Sequence, residues 1–322
     1  TFNNEQINFH IVITPRENQT LTERISRKMK AKHVIIYLLL VIVTSSCIRD
    51  EAPNAEADIL SCRLPGITMT TSPIINNNSV TLFVTPGTNI SALAPEFTLT
   101  SGATITPASG TERNFNSPQE YQVTAADGIW KKTYAISVID TELATIYNFE
   151  DTISGKKYYI FVERENDKVI MEWASGNAGY AMTGVAKTAD DYPTFQIANG
   201  KNGKCLSLVT RSTGFFGGLV GMPIAAGNLF IGSFDVNNAM SNPLQATKFG
   251  LPFRHVPTYL AGYYKYKAGD QFTEGGKPVE GKRDICDIYA IMYETSVSVP
   301  TLDGTNAFTS PNLVSMARIK DA

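Results

Sequence analysis

Four acids stand in strand-like runs of this chain: Glu172, Asp235, Asp287 and Glu294. Two carboxylates flanking a glycosidic bond can hydrolyse it, about 5–5.5 Å apart for retention and about 6.5–9.5 Å for inversion. Asp287, Glu172 and Asp235 are therefore the catalytic candidates. Asp287 shares a face with Ile285, Tyr289, Ile291 and Tyr293, and apolar surroundings would raise its pKa. The alternative is a buried acid hydrogen-bonded to a neighbouring strand. His255 is the only histidine after Cys47, so serine or cysteine triads and zinc sites lack support. The balance leans away from an enzyme.

The aromatic residues suggest binding. Trp173, Tyr259, Tyr263, Tyr264 and Tyr266 offer flat faces that stack on the apolar C–H faces of sugar rings, with few rotors to freeze. Alternation places Tyr259, Tyr263 and Lys265 on one side of a strand, with Tyr264 and Tyr266 on the other. One side should face the core, so only part of the set can meet a ligand. Asn177 and Asn228 could hydrogen-bond hydroxyl groups; each also sits beside glycine, where it would shape a turn.

These side chains need a β framework. The 322 residues carry 28 basic and 30 acidic side chains, a net charge of -2, and only 18% are charged. No basic excess points to nucleic acid, and 43% hydrophobic residues exclude a disordered polyampholyte. Between about 60 and 140, period-two runs such as Lys132–Ile139 alternate with turns at Pro86-Gly87, Ser101-Gly102 and Asp127-Gly128. That pattern predicts a small antiparallel sandwich. Further on, Tyr259–Tyr266 and Ile285–Tyr293 read as strands, and Asn199-Gly200-Lys201-Asn202-Gly203 as a hairpin turn.

Before the sandwich lies an address. Met29-Lys30-Ala31-Lys32-His33 is basic, Val34–Val43 is apolar, and Thr44-Ser45-Ser46-Cys47 follows. This is the order of a secretory signal peptide. Ten apolar residues span about 15 Å as a helix, half of a ~30 Å bilayer core. The small residues before Cys47 resemble the lipobox of bacterial lipoproteins, in which that cysteine is lipidated. Ile48-Arg49-Asp50-Glu51 is similar to the acidic export signal of Bacteroidetes surface lipoproteins. The organisation expected is an upstream, non-native segment (1–28), a signal peptide (29–46), a tether (47–59), a spacer domain (60–140) and a second domain (146–322). Cys62, Cys205 and Cys286 then remain, an odd set without metal spacing; Cys205 and Cys286 read as buried thiols.

Two resemblances extend this. The run from Pro86-Gly87-Thr88-Asn89-Ile90 to Tyr121 resembles the immunoglobulin-like domains that follow lipidated cysteines in Bacteroidetes proteins. Glu172–Gly179, Gly203–Thr210, Pro223–Asp235, Asn242–Leu244 with Thr247–Gly250, Gly262–Tyr266 and Asp287–Ala290 together resemble the Bacteroidetes "putative carbohydrate metabolism domain". The resemblances imply an all-β chain, an immunoglobulin-like sandwich followed by an incomplete β-jelly-roll. They also imply glycan or polysaccharide as partner, an outer-membrane, cell-surface location through the lipid, and other glycan-uptake proteins nearby. Candidate ligand residues are Trp173, Asn177, Tyr263, Tyr264, Lys265 and Tyr266. The Asn148-Phe149-Glu150-Asp151 opening resembles jelly-roll carbohydrate-binding modules, which implies a structural Ca²⁺ at Glu150 and Asp151. The alternatives are a glycoside hydrolase or polysaccharide lyase, and an adhesin or structural surface subunit.

Overall fold

The computed structural model describes residues 54–296 and 298–319. Cys47, the signal peptide and the start of the tether lie outside them. The described chain is all-β, with a few short helical turns.

Its first part is a two-sheet sandwich. The strands are β1 (Ile59–Arg63), β2 (Ile74–Ile75), β3 (Ser79–Phe83), β4 (Glu96–Leu99), β5 (Thr104–Thr106), β6 (Gln119–Thr124) and β7 (Lys131–Ile139). β1 pairs with β4, and the second sheet runs β2-β3-β7-β6-β5. β3 lies parallel to β7, with Ser79 opposite Ala135 and Phe83 opposite Ile139. Period two is realised as burial: Tyr134, Ile136 and Val138 of β7 point inward, with Val80, Leu82, Tyr121 and Val123 from its neighbours. Each such aliphatic side chain contributes roughly 1.5–3 kcal/mol on burial. Cys62 is buried in the same core as a free thiol, and desolvation pushes its pKa up to about 12. Cys205 and Cys286 are also free but only half-buried, less than the apolar runs around them implied.

Beyond the joint at Thr141–Thr145 the sheets are short. β8 (Val162–Glu165) and β9 (Lys168–Glu172) form a hairpin. Thr152 pairs with Phe161 on one side of it, and Ala174 with Phe230 on the other. β10 (Thr194–Ile197) and β11 (Cys205–Leu208) form a second hairpin, closed by the Asn-Gly turn. A three-stranded sheet joins β12 (Gly232–Phe234), β13 (Thr247–Phe249) and β15 (Leu302–Asp303), while β14 (Ile288–Tyr293) pairs with β16 (Leu313–Ile319). The strand expected over Tyr259–Tyr266 does not form; residues 251–271 hold no ladder. Both faces of that run carry tyrosine, so neither is the apolar one, and strand propensity without a partner ladder does not suffice. Among the described residues no helix is long and apolar enough to cross a membrane.

Candidate functional site

The β8–β9 hairpin organises the richest cluster. Opposite pairing of Glu163 and Met171 puts Glu163 on the face that Trp173 shares. Trp173 Nε1 donates to Glu163 Oε1 at 2.9 Å. The indole lies edge-on to Tyr147 at 5.0 Å and tilted against Phe149 at 5.4 Å. Desolvation raises the Glu163 pKa; the Trp173 hydrogen bond opposes this, and the charge of Asp151 adds to it. Glu172 points to the other face. It reaches solvent, yet the protein packed about it raises its pKa, with Lys156 pulling the other way. Glu163 and Glu172 are therefore separated by the sheet. Glu163 escaped sequence reading because its link to Trp173 depends on register, although the Asn166-Asp167 turn between two alternating runs could have revealed it.

The other predicted acids have structural partners. Asp287 is exposed, not set among apolar groups: Arg318 Nε and Nη2 donate to its two oxygens at 2.9 and 2.8 Å. The strand face reading failed because Asp287 precedes the first residue of β14, where side-chain alternation no longer dictates burial. Asp235 caps a turn, accepting from Asn237 N at 3.0 Å and Asn238 Nδ2 at 2.6 Å. Glu294, exposed after β14, takes part through its backbone, its N–H donating to Asn312 O at 2.9 Å.

Glu150 clasps the second hairpin. Its carboxylate accepts from Lys204 N at 3.0 and 3.2 Å, and Gln196 Nε2 donates to its carbonyl at 2.9 Å. Gly203 has φ +81°, and a Cβ there would strike that carboxylate. Asp151 is exposed nearby. Calcium needs six to eight oxygens, but the Glu150 oxygens face an N–H, and no group of three or more His, Cys, Asp or Glu side chains stands together among the described residues. Glu150 and Asp151 thus have no third acidic side chain beside them among the described residues.

The asparagines are structural too. Asn177 is 0% exposed. Its Nδ2 donates to Thr194 O at 2.7 Å while its Oδ1 accepts from Thr194 N at 3.1 Å, imitating a strand neighbour. It is thus unavailable to a ligand, which corrects the expectation. Asn228 Oδ1 accepts from Gly176 N at 2.7 Å.

The tyrosines, by contrast, are open. Tyr259 and Tyr263 are 81% and 82% exposed, with Tyr264, Lys265 and Tyr266 beside them in the same irregular segment. Lys201, from the β10–β11 turn, holds its ammonium 3.1 Å from the Tyr263 ring centroid, a cation–π contact that steadies the ring. Trp173 stands apart with Glu163.

Comparison with known proteins follows the same division. Residues 148–322 match the family described as "Putative carbohydrate metabolism domain", and residues 59–138 match "SGBP, N-terminal". The crystal structure of "a putative glycoside hydrolase" from Bacteroides thetaiotaomicron VPI-5482 is 85% identical, with TM-score 0.81, over 85% of this chain and 80% of that one. Another "putative glycoside hydrolase", from Bacteroides vulgatus ATCC 8482, is 48% identical, with TM-score 0.51, over 54% of this chain and 71% of that one. No curated protein matches.

Proposed function

Because the chain belongs to the "Putative carbohydrate metabolism domain" family, we propose that it is a surface glycan-binding protein, anchored in the outer membrane by lipid on Cys47. Polysaccharide stacks on the tyrosine strip around Tyr259 and Tyr263. The observation carrying this reading is the exposure of those rings. Clustered aromatics left open to water mark a contact surface, and a sugar's C–H face is a fitting partner for them. The sandwich between Cys47 and the strip serves as a spacer. On glycan arrays the full chain should retain polysaccharide, and Tyr259→Ala with Tyr263→Ala should weaken retention roughly tenfold. Unchanged retention in that variant overturns the reading. Anchoring predicts labelled palmitate on the wild-type chain and none on Cys47→Ala.

A second reading, glycoside hydrolysis, draws on Glu163. A general acid for glycoside cleavage needs a raised pKa, and Glu163 has one beside an indole that could floor a sugar subsite. Reducing-sugar release abolished by Glu163→Gln would support it. No release by the wild-type chain would remove it.

A further inference from the structure

A cleft of about 560 Å³ opens where the sandwich meets the following region. Its volume falls within the roughly 300–1,000 Å³ of small-molecule sites, which favour such junctions. Its walls come from the chain just after β7, the joint, the β8–β9 hairpin and the segment holding His255. They are braced by the ion pair of Lys168 Nζ with Asp140 Oδ1 at 2.7 Å and by the approach of His255 Nε2 to Glu142 Oε2 at 3.2 Å.

The turn presents the chemistry. Asn166 and Asp167 have φ of +47° and +65°, the left-handed pair that lets a two-residue loop follow the strand twist. Asn and Asp tolerate that conformation better than other side chains. The turn thereby places Arg164 and Glu165 on the cleft wall, above the buried floor residue Ile170. Arg164 uses one N–H on Asp167 O at 2.9 Å, leaving most of its donor fork. Thr141 Oγ1, also on the wall, is buried without a hydrogen-bond partner.

Glu142 and Glu165 only accept hydrogen bonds when ionised, and Arg164 only donates. A hydroxyl does both. A purely cationic ligand would leave Arg164 unmatched, and a purely anionic one would face the carboxylates. A neutral, polyhydroxylated ligand satisfies both kinds of group, with an apolar face for Ile170. We infer that this cleft is a second saccharide site, taking a neutral oligosaccharide through Arg164 and Glu165. The inference rests on the glycan reading above and adds to it a separate place of binding.

The test is calorimetric titration of the full chain with maltohexaose, cellohexaose, xylohexaose and mannohexaose. At least one should bind. Arg164→Ala with Glu165→Ala, both exposed and outside the core, should weaken that binding roughly tenfold, as loss of charge-assisted hydrogen bonds does. Tyr259→Ala with Tyr263→Ala should leave the cleft affinity intact. If the Arg164/Glu165 variant binds as the wild type does while the tyrosine variant loses binding, the cleft inference falls and the strip stands. If no hexaose binds the wild-type chain, both fall. Thermal melts of each variant confirm that the fold is retained.

Discussion

The sandwich core and the tyrosine strip beyond the joint use aromatic residues in opposite ways. In the sandwich, Tyr121 and Tyr134 are 1% exposed and pack in the core. Beyond the joint, Tyr259 and Tyr263 are more than four-fifths exposed. The same residue type thus supplies burial in the sandwich core and an open face in the strip, while Tyr180 and Tyr192 beyond the joint are buried as well. Asp58 makes a similar contrast with Glu163. Asp58 is clamped by Lys132 at 2.5 Å and by the Tyr134 hydroxyl at 2.9 Å, both serving the fold. Glu163 has only the Trp173 N–H, and desolvation rather than a cation sets its pKa. The first arrangement holds the fold together, and the second leaves a carboxyl group with a raised pKa beside an indole.

The sharpest way to break this comparison is to truncate one residue of each kind. Leu82→Ala, at a fully buried position, should destabilise the chain by about 2–5 kcal/mol through lost burial and the cavity left behind. Tyr263→Ala should stay within about 0.5 kcal/mol of the wild type, as exposed substitutions do. Urea melts followed by tryptophan fluorescence and far-UV circular dichroism would measure both. A large loss for Tyr263→Ala would mean that the strip belongs to the core after all.

Next in size is Asn177→Ala. It leaves the Thr194 N–H and carbonyl without the partners that Asn177 supplies, at about 1–3 kcal/mol for a buried group left unpaired. The same melts should show this loss with no change in glycan affinity. A variant with intact stability but lost affinity would return Asn177 to the ligand site.

The sandwich could be read in advance because its alternation is one-sided: Tyr134, Ile136 and Val138 share a face, with Lys131 and Thr133 outward at the start of the strand. Nothing comparable marks Tyr259–Tyr266, where alternation puts tyrosine on both faces and Gly262 interrupts the run. Asp235 followed two residues later by the N–H it accepts is a local capping signal, and it was open to reading as structural. The cleft between Glu142, Arg164 and His255 was not legible, and the Glu163–Trp173 pair was legible only through the register that the Asn166-Asp167 turn sets. They join residues whose proximity comes from strand register and from chain segments folded together, and local spacing holds neither.

The smallest expected effect is a difference in pH slope between the two acids. Lys132, as hydrogen-bond partner, lowers the Asp58 pKa from its ordinary 3.8, against the opposing effect of burial. Its stabilisation is therefore fully present above about pH 4 and is lost as pH falls through the lowered folded value. Both side chains retain solvent contact, so the pair contributes only about 0.5–1 kcal/mol. Asp58→Asn should cost that amount at pH 7 and progressively less as pH falls through the lowered folded value. For Glu163, desolvation raises the pKa above its ordinary 4.5. The folded chain then holds that proton more tightly than the unfolded chain, and stability declines as pH rises from 4.5 through the raised value. Glu163→Gln should remove this decline, so relative to the wild type the variant gains across that window, a sign opposite to that of Asp58→Asn. Thermal melts from pH 2 to 8 on both variants would read the slopes. Parallel slopes would erase the distinction between an acid that clamps the fold and one held for a site.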